Sequence, residues 1–181
     1  SVAWLERAPG QGEPNSIKRK NLDSRSVTQT AQYAHSVAMS EDHIVWIADG
    51  AIAVEPDDYT FNTLSFATMR QRSQPVGNFS KGQPRIAVTK GVALISPSEN
   101  VLDATRIESR ENTLVSAISI QSLGAQNGIA YWLERESDTV NRLRAVDVDQ
   151  LNSPVLVDRG TIRDPAISGD RIFYIKEGKL A

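Results

Sequence analysis

The stretch Ala130-Tyr131-Trp132-Leu133 is one of five short apolar phrases that recur along this 181-residue chain. The other four are Val2-Ala3-Trp4-Leu5, Ile44-Val45-Trp46-Ile47, Val92-Ala93-Leu94-Ile95 and Ile172-Phe173-Tyr174-Ile175. In chain order, the third residues of the phrases lie 42, 48, 38 and 42 positions apart. A repeat of about 40–50 residues built on short apolar strands is typical of a β-propeller, in which each four-stranded blade is one repeat.

A tight turn precedes four of the five phrases. An Asn-Gly pair is among the strongest hairpin signals, because both central positions of the turn need a positive φ. The predicted first turns are Glu41-Asp42, Lys90-Gly91, Asn127-Gly128 and Gly169-Asp170, and the predicted second turns include Asp49-Gly50 and Glu177-Gly178. The distances from Ala38 to Trp46 and from Ala166 to Tyr174 are both eight residues, which supports a true repeat.

The polarity of the strands within each repeat predicts how deeply each strand is buried in the blade. Ile44-Val45-Trp46-Ile47 is apolar at every position, as expected for a strand that is covered on both faces. The third strand, such as 142–147, is more polar, and an outer strand such as 154–157 closes the blade. The stretch 102–118 allows either a helix or two strands, and the repeat favours the strands.

The repeats predict one all-β domain over residues 1–181, made of four-stranded antiparallel blades. Their approximate bounds are 1–33, 34–80, 81–117, 118–160 and 161–181. The first repeat lacks an inner strand, and the last stops where a third strand begins. Two interpretations stay open. One is a ring of four or five blades with an irregular closure, and the other, which we favour, is a segment of a larger propeller.

One blade carries a likeness to known families. Ile129-Ala130-Tyr131-Trp132-Leu133-Glu134, followed by a charged hairpin and a strand that ends at Asp147, resembles a blade of the YWTD and TolB-like propellers. The stretch 166–175 is similar in layout. The Thr-Asp half of the YWTD signature is absent here. The resemblance implies a propeller, often six-bladed, that binds proteins, usually outside the cytoplasm. It assigns no catalytic residue.

Composition narrows the class of protein. The apolar share is 40%, and 20 Lys and Arg residues against 22 Asp and Glu residues leave a formal net charge of −2. That balance gives no general attraction to nucleic acid, and no apolar run reaches the ~20 residues of a membrane-spanning helix.

The chain has no cysteine, which excludes disulfides, Cys-ligated metal sites and thiol catalysis. We expect no cofactor and no metal ion. The compartment is undetermined, with the resemblance favouring a secreted, periplasmic or cell-surface protein.

The recurring large residues are expected to pack between blades rather than to form a ligand cage. They are Trp4, Trp46, Leu94, Trp132 and Tyr174.

The other candidate functional residues are few. His35 and His43 are the only histidines, and their spacing fits no metal motif, so a surface or turn role is favoured. Asp147 and Asp149 alternate on a strand without a calcium loop, which favours a solvated strand end. The basic run 16–20 is interpreted as a solvated loop.

The stretch from Arg70 to Arg85 departs from the period and is predicted to be a long inter-blade loop. Such loops carry function in propellers because the strands hold them rigidly. The candidate binding residues in it are Arg70, Arg72, Phe79, Lys81 and Arg85.

The leading hypothesis is therefore a non-catalytic propeller domain that binds a protein or another ligand through its end loops. Its partners would be a protein, or further blades from the same or another chain. The alternative is the propeller of a larger hydrolase or carbohydrate-active enzyme, which gates or houses an active site at the axial mouth. That alternative predicts converging carboxylates or His43 at the mouth.

Overall fold

The structure, a computed structural model, describes residues 1–6, 15–49, 58–78, 84–96, 100–116 and 119–181. All regular secondary structure in these residues is β-strand. They contain no helix that is long and apolar enough to cross a membrane. In chain order the strands are β1 (Val2–Glu6), β2 (Ser16–Lys20), β3 (Val27–Gln32), β4 (Ala34–Met39), β5 (His43–Asp49), β6 (Asp58–Ser65), β7 (Gln71–Asn78), β8 (Arg85–Thr89), β9 (Val92–Ser96), β10 (Leu102–Arg106), β11 (Asn112–Ser116), β12 (Ile120–Gln126), β13 (Ile129–Arg135), β14 (Asn141–Asp147), β15 (Val155–Gly160), β16 (Ile162–Ser168), β17 (Arg171–Lys176) and β18 (Lys179–Leu180).

Strands that are adjacent in sequence pair antiparallel and form five sheets, which we number 1 to 5. The sheets contain β1–β3, β4–β7, β8–β11, β12–β15 and β16–β18. Sheets 2, 3 and 4 have four strands, which confirms the predicted all-β chain of four-stranded antiparallel sheets. In the part of the chain that the structure describes, sheets 1 and 5 have three strands each, sheet 1 without the equivalent of a first strand and sheet 5 without the equivalent of a fourth.

The predicted first hairpin turns are present. Lys90 and Gly91 have φ of 43° and 69°, and Asn127 and Gly128 have φ of 52° and 85°. Positive φ at both central positions is the type I′ geometry, whose twist matches that of the strands it joins. The second turn predicted at Asp49-Gly50 lies partly outside the described residues.

Successive sheets pack face to face, and each junction holds a cluster of buried apolar side chains. Between sheets 1 and 2 the cluster includes Ile17 and Trp46, between 2 and 3 it includes Phe61 and Ile95, and between 3 and 4 it includes Trp132. A fourth cluster joins sheets 4 and 5. The first strands of neighbouring sheets contact one another, but among the described residues sheets 1 and 5 share no comparable contact. The array of sheets is therefore open.

The alignment of Leu94 with the tryptophans is wrong by one residue. Counted from the first hairpin turn, the fourth strand residue is Trp46 in sheet 2, Trp132 in sheet 4 and Ile95, not Leu94, in sheet 3. Ile95 packs toward sheet 2, whereas Leu94 packs toward sheet 4. Because side chains alternate along a strand, a shift of one residue moves a side chain to the opposite face. Leu94 is still fully buried.

The two end sheets hold their large residues differently from the inner sheets. Trp46 and Trp132 are buried, but Trp4 is 37% exposed and Tyr174 is half-buried. In β1 the alternate residues, such as Leu5, pack toward sheet 2, so Trp4 lies on the opposite face, where no described sheet covers it. Tyr174 packs against the cluster between sheets 4 and 5. Within the described residues, Trp4 therefore does not pack between sheets.

Two stretches predicted as loops are strands. Gln71–Asn78 forms the outer strand β7, so the prediction of a continuous loop over 70–85 is wrong. Pro75 is tolerated there because β7 is an edge strand and Pro75 lies beside a register shift. The basic run Ser16–Lys20 forms strand β2 instead of a solvated loop. In the ambiguous stretch 102–118, the strand interpretation is confirmed by β10 and β11.

Candidate functional site

The first hairpin turns of successive sheets converge at one end of the array. Each turn lies between the first and second strands of its sheet, and the first strands are the ones that touch from sheet to sheet. The turns in sheets 3 and 4 are short type I′ turns, so their side chains stay close to the strand ends. Short, strand-anchored turns form a fixed surface rather than a set of flexible loops.

Hydrogen bonds connect three of these turns directly. The backbone N–H of Gly128 donates to Oγ1 of Thr89 at 2.8 Å, which joins sheets 4 and 3 in a buried position. The Nδ2 of Asn127 donates to the carbonyl oxygen of Gly169 at 3.1 Å, which joins sheets 4 and 5. The Lys90 side chain lies so close to Gly128 that a Cβ there would be only 2.7 Å from its Nζ. Glycine is favoured at position 128 because its φ of 85° lies in the left-handed region, whereas a Cβ there would displace only the flexible end of the Lys90 side chain.

These turns border a cleft with a volume of about 800 Å³. Sheet 1 contributes to it through the end of β2, and sheet 2 adds the turn between β6 and β7. The lining residues that matter most for binding chemistry are Arg19, Asn21, Glu41, Asp42, Phe66, Lys90, Gln126 and Asn127.

The cleft carries both signs of charge together with side-chain amides. Arg19 lies over the ring of Phe66, 5.6 Å from its centroid, and this cation–π contact positions its guanidinium. Glu41 and Asp42 are the carboxylates of the described lining, and they are neighbours in a single turn. They do not face each other across the cleft, as a pair of glycosidase carboxylates would. The described lining contains no histidine.

No family model and no curated protein sequence matches this chain. Solved structures similar to it include the crystal structure of the tricorn protease, a protein that contains β-propellers, with a TM-score of 0.64 and 9% sequence identity. The match covers 96% of this chain and 20% of that one. The fold is propeller-like. At this identity the similarity shows the fold alone, and the sheets described above are consistent with blades. Sheets 1 to 5 are called blades 1 to 5 from here on.

Of the predicted binding residues that the structure describes, Arg70, Arg72 and Arg85, none lines the cleft at the turns. Arg70 and Arg72 border a different, smaller pocket between blades 2 and 3. Arg85 is the first residue of β8 and is half-buried. Phe79 and Lys81 lie outside the described residues. The sequence patterns therefore pointed to the second pocket and missed the cleft, whose residues belong to turns that are distant in sequence.

The two histidines also lie apart from the cleft. His35 packs edge-to-face against Tyr59 at 5.0 Å. His43 begins β5 and is only 7% exposed, so of the expected surface or turn role the surface part is wrong. The turn part fits the structure, because the backbone N–H of Ser40 donates to the carbonyl oxygen of His43 at 2.9 Å. Asp147 and Asp149 are exposed, and Oδ1 of Asp147 accepts a hydrogen bond from the N–H of Asp149. Among the described residues no group of three or more His, Cys, Asp or Glu side chains is placed to hold a metal ion.

A buried carboxylate that the sequence did not single out joins blades 3 and 4. Glu134 is 1% exposed, and its Oε1 accepts hydrogen bonds from Trp132 Nε1 at 2.9 Å and from Ser116 Oγ at 2.8 Å. Its Oε2 accepts one from Arg144 Nε at 2.8 Å. Both oxygens are used within the protein, so Glu134 stabilises the blade junction rather than serving as a free acid or base. The sequence signal that could have identified this carboxylate is the spacing of Trp132 and Glu134, two residues apart on β13, beside Arg142 and Arg144 on the paired strand β14.

Two further carboxylates hold the outer part of blades 4 and 5. Hydrogen bonds from Arg159 and Arg142 lower the pKa of Glu136 to about 2. Asp158 accepts hydrogen bonds from Lys176 Nζ at 2.8 Å and from Tyr174 Oη at 2.7 Å. The contact with Lys176, and then that with Tyr174, lowers the pKa of Asp158. These groups are ionised and paired at neutral pH, so they too are structural.

Proposed function

We propose that this chain is part of a non-catalytic β-propeller that binds a protein or another polar ligand at the end where the hairpin turns meet. One observation carries the proposal: turns from successive blades enclose a cleft of about 800 Å³ and are connected by hydrogen bonds between Thr89 and Gly128 and between Asn127 and Gly169. A rigid concave surface of this kind needs little ordering when a ligand binds. We include in this proposal that the blade around Trp132 is related to the blades of the YWTD and TolB-like propellers.

The lining favours a polar peptide or protein loop as the ligand. Arg19 and Lys90 offer hydrogen-bond donors for carboxylates, Glu41 and Asp42 offer acceptors for cationic side chains, and Asn127 offers an amide. Charges of both signs on a fixed surface select a partner with the complementary arrangement.

The absence of cysteine in the chain makes a direct test possible. Single variants Glu41→Cys and Asn127→Cys, each labelled with a photo-crosslinking maleimide, are incubated with extract from the native source. The matched control is Val157→Cys, which is 41% exposed on the outer strand β15. We expect one protein to crosslink to both cleft positions and not to the control. The purified partner should then bind a Lys90→Glu variant more weakly than the parent. Equal crosslinking at all three positions would contradict the proposal.

We also propose that the outer faces of sheets 1 and 5 contact further blades, from the same chain or from another. Trp4 is 37%, Phe173 39% and Leu180 75% exposed on faces whose equivalents in blades 2 to 4 are covered by an adjacent blade. Multi-angle light scattering of the purified chain tests assembly between copies. The intact mass of the native protein tests for further blades in one chain. A monomer of this length that unfolds cooperatively would contradict both.

A second candidate function is the propeller of a larger enzyme. It is favoured by the similarity to the tricorn protease, of whose chain the match covers 20%. The test is whether the native protein is longer than 181 residues and has hydrolase activity that changes when Asn127→Cys is labelled at the cleft. A native protein of this length without such activity would exclude this function.

A further inference from the structure

A second pocket, of about 80 Å³, lies between blades 2 and 3, apart from the cleft at the turns. Blade 2 provides most of its wall, and the turn between β10 and β11 of blade 3 covers it. The lining residues are His43, Thr63, Ser65, Thr68, Arg70, Arg72, Ile107 and Glu108.

The strand register explains why these polar side chains share one face. His43 on β5 is the direct partner of Ser65 on β6, and Thr63 on β6 is the direct partner of Arg72 on β7. Directly paired residues point to the same side of a sheet. This is the side of blade 2 that also carries Val45 and Phe61, which pack against blade 3. The apolar cluster thus gives way to a polar pocket at one end of the same interface.

His43 is the most informative residue in the pocket. It is 7% exposed, and neither Nδ1 nor Nε2 has a hydrogen-bond partner among the described residues. A buried polar group without a partner is destabilising, and each such group in a native protein calls for an explanation. The imidazole borders the pocket, so a partner for it would be a molecule held there. About 80 Å³ accommodates two or three waters or one small polyatomic group.

The charge of the lining decides between these occupants. Arg70 and Arg72 contribute two positive charges, and Glu108 is the carboxylate of the lining. Glu108 is 3.7 Å from Arg72 and its side chain is 76% exposed, so it neutralises Arg72 only in part and leaves Arg70 available. Three hydroxyl groups, on Thr63, Ser65 and Thr68, add further donors. Arginines with hydroxyl and imidazole donors are the typical surroundings of a bound oxyanion.

We propose that the pocket between blades 2 and 3 binds a small oxyanion of the phosphate type, held by Arg70, Arg72 and His43. The anion fills the pocket, completes the hydrogen bonding of His43 and links the β6–β7 turn of blade 2 to blade 3. The source of the phosphate is either inorganic phosphate or the terminal group of a small phosphate monoester. This site is independent of the proposed function of the cleft.

The test uses the His43 ring as the reporter. Inorganic phosphate is titrated into ¹⁵N-histidine-labelled protein, with sodium chloride at matched ionic strength as the reference. The His43 ring signals should shift saturably with phosphate and not with chloride, while the signals of His35 stay unchanged. A parallel titration with glycerol phosphate distinguishes the two sources: weaker binding than inorganic phosphate indicates the free ion, and tighter binding indicates an ester.

Substitutions then identify the binding groups. Arg70→Gln and Arg72→Gln should each weaken phosphate binding about tenfold, the loss expected when one charge-assisted hydrogen bond is removed. The matched control, Arg163→Gln, removes an arginine whose side chain is 67% exposed on blade 5 and should leave the affinity unchanged. All three variants are first shown to fold by circular dichroism. The absence of a saturable shift of the His43 signals would show that the pocket holds water only. An affinity equal to that of the parent chain in all three variants would show that Arg70 and Arg72 do not hold the ion. Either result would overturn the proposal.

Discussion

The indole Nε1 of Trp132 donates a 2.9 Å hydrogen bond to Oε1 of Glu134, and both side chains are buried at the junction of blades 3 and 4. The same carboxylate accepts from Ser116 on blade 3 and from Arg144 on blade 4. A charge at this depth is stable only because all of these donors converge on it. The blade junction therefore depends on a polar contact at the centre of an otherwise apolar interface.

Replacing Glu134 should destabilise the chain strongly. Glu134→Ala leaves the Trp132 indole and the Arg144 guanidinium without their acceptor, and we expect a loss of about 2–4 kcal/mol in the free energy of unfolding. Glu134→Gln keeps the shape but places an amide donor among donors, so it should cost nearly as much. Urea unfolding measures both. The control Asp138→Ala, at an exposed position of the same blade, should change stability by less than about 0.5 kcal/mol. Equal effects at positions 134 and 138 would contradict this role.

Trp132 and Trp4 are equivalent in sequence but not in packing, and their substitutions should differ accordingly. Trp132→Ala removes a fully buried side chain and should cost about 3–5 kcal/mol. Trp4 is 37% exposed on the outer face of sheet 1, so Trp4→Ala should cost less than about 1 kcal/mol in the isolated chain. Urea midpoints of the two variants make the comparison. A cost below about 1 kcal/mol for Trp132→Ala would contradict its place between blades.

The features that follow from local chemistry could be predicted from the sequence. Asn127-Gly128 and Lys90-Gly91 specify their turns because a positive φ at two successive positions is a property of those residues themselves. The buried second strands could be predicted as well, because their residues are apolar on both faces. Even so, the sequence phrases misplaced Leu94, since a strand must be counted from its turn to establish which face a residue occupies.

The features that depend on distant partners could not be predicted. The polar stretch 71–78 becomes a strand because β6 offers it an edge to pair with. The basic stretch 16–20 becomes a strand because Lys18 lies on the uncovered face of sheet 1, paired with Glu6 at 3.5 Å, while Ile17 is buried on the other face. The cleft joins turns from several blades, and no spacing in the sequence brings Arg19 to Lys90.

Gly124 should resist substitution for a reason of space rather than of backbone conformation. A Cβ at position 124 would overlap the ring and Oη of Tyr131, the partner of Gly124 across strands β12 and β13. Tyr131 is only 8% exposed, and its hydroxyl donates to the carbonyl oxygen of Pro165 on blade 5 at 3.1 Å. Gly124→Ala should therefore displace the ring and cost about 1–3 kcal/mol.

A double-mutant cycle separates this clash from the intrinsic effect of replacing glycine. In the background of Tyr131→Val the space beside position 124 is open. Gly124→Ala should then be neutral or slightly stabilising, because alanine restricts the unfolded chain more than glycine does. Urea unfolding of the four proteins gives the coupling. An equal cost of Gly124→Ala in both backgrounds would contradict the steric explanation.

Acid should weaken the contacts around Glu136 in a defined pH range. The Arg159 and Arg142 guanidiniums lower the pKa of Glu136 from 4.5 to about 2, so the folded state binds a proton at this group less readily than the unfolded state. A carboxylate with a lowered pKa contributes stability that is complete above the unfolded value and is lost as the pH falls toward the folded value. The loss should therefore occur between about pH 4.5 and pH 2, and Asp158, whose pKa is lowered by Lys176 and Tyr174, adds to it in the same direction.

Urea midpoints at pH 6 and pH 3 test the effect: the decrease should be smaller in Glu136→Gln than in the parent chain. Because Glu136 and Arg159 are exposed to solvent, added salt should reduce the difference between the two proteins. An identical decrease in both proteins would show that Glu136 does not contribute to the acid sensitivity of the fold.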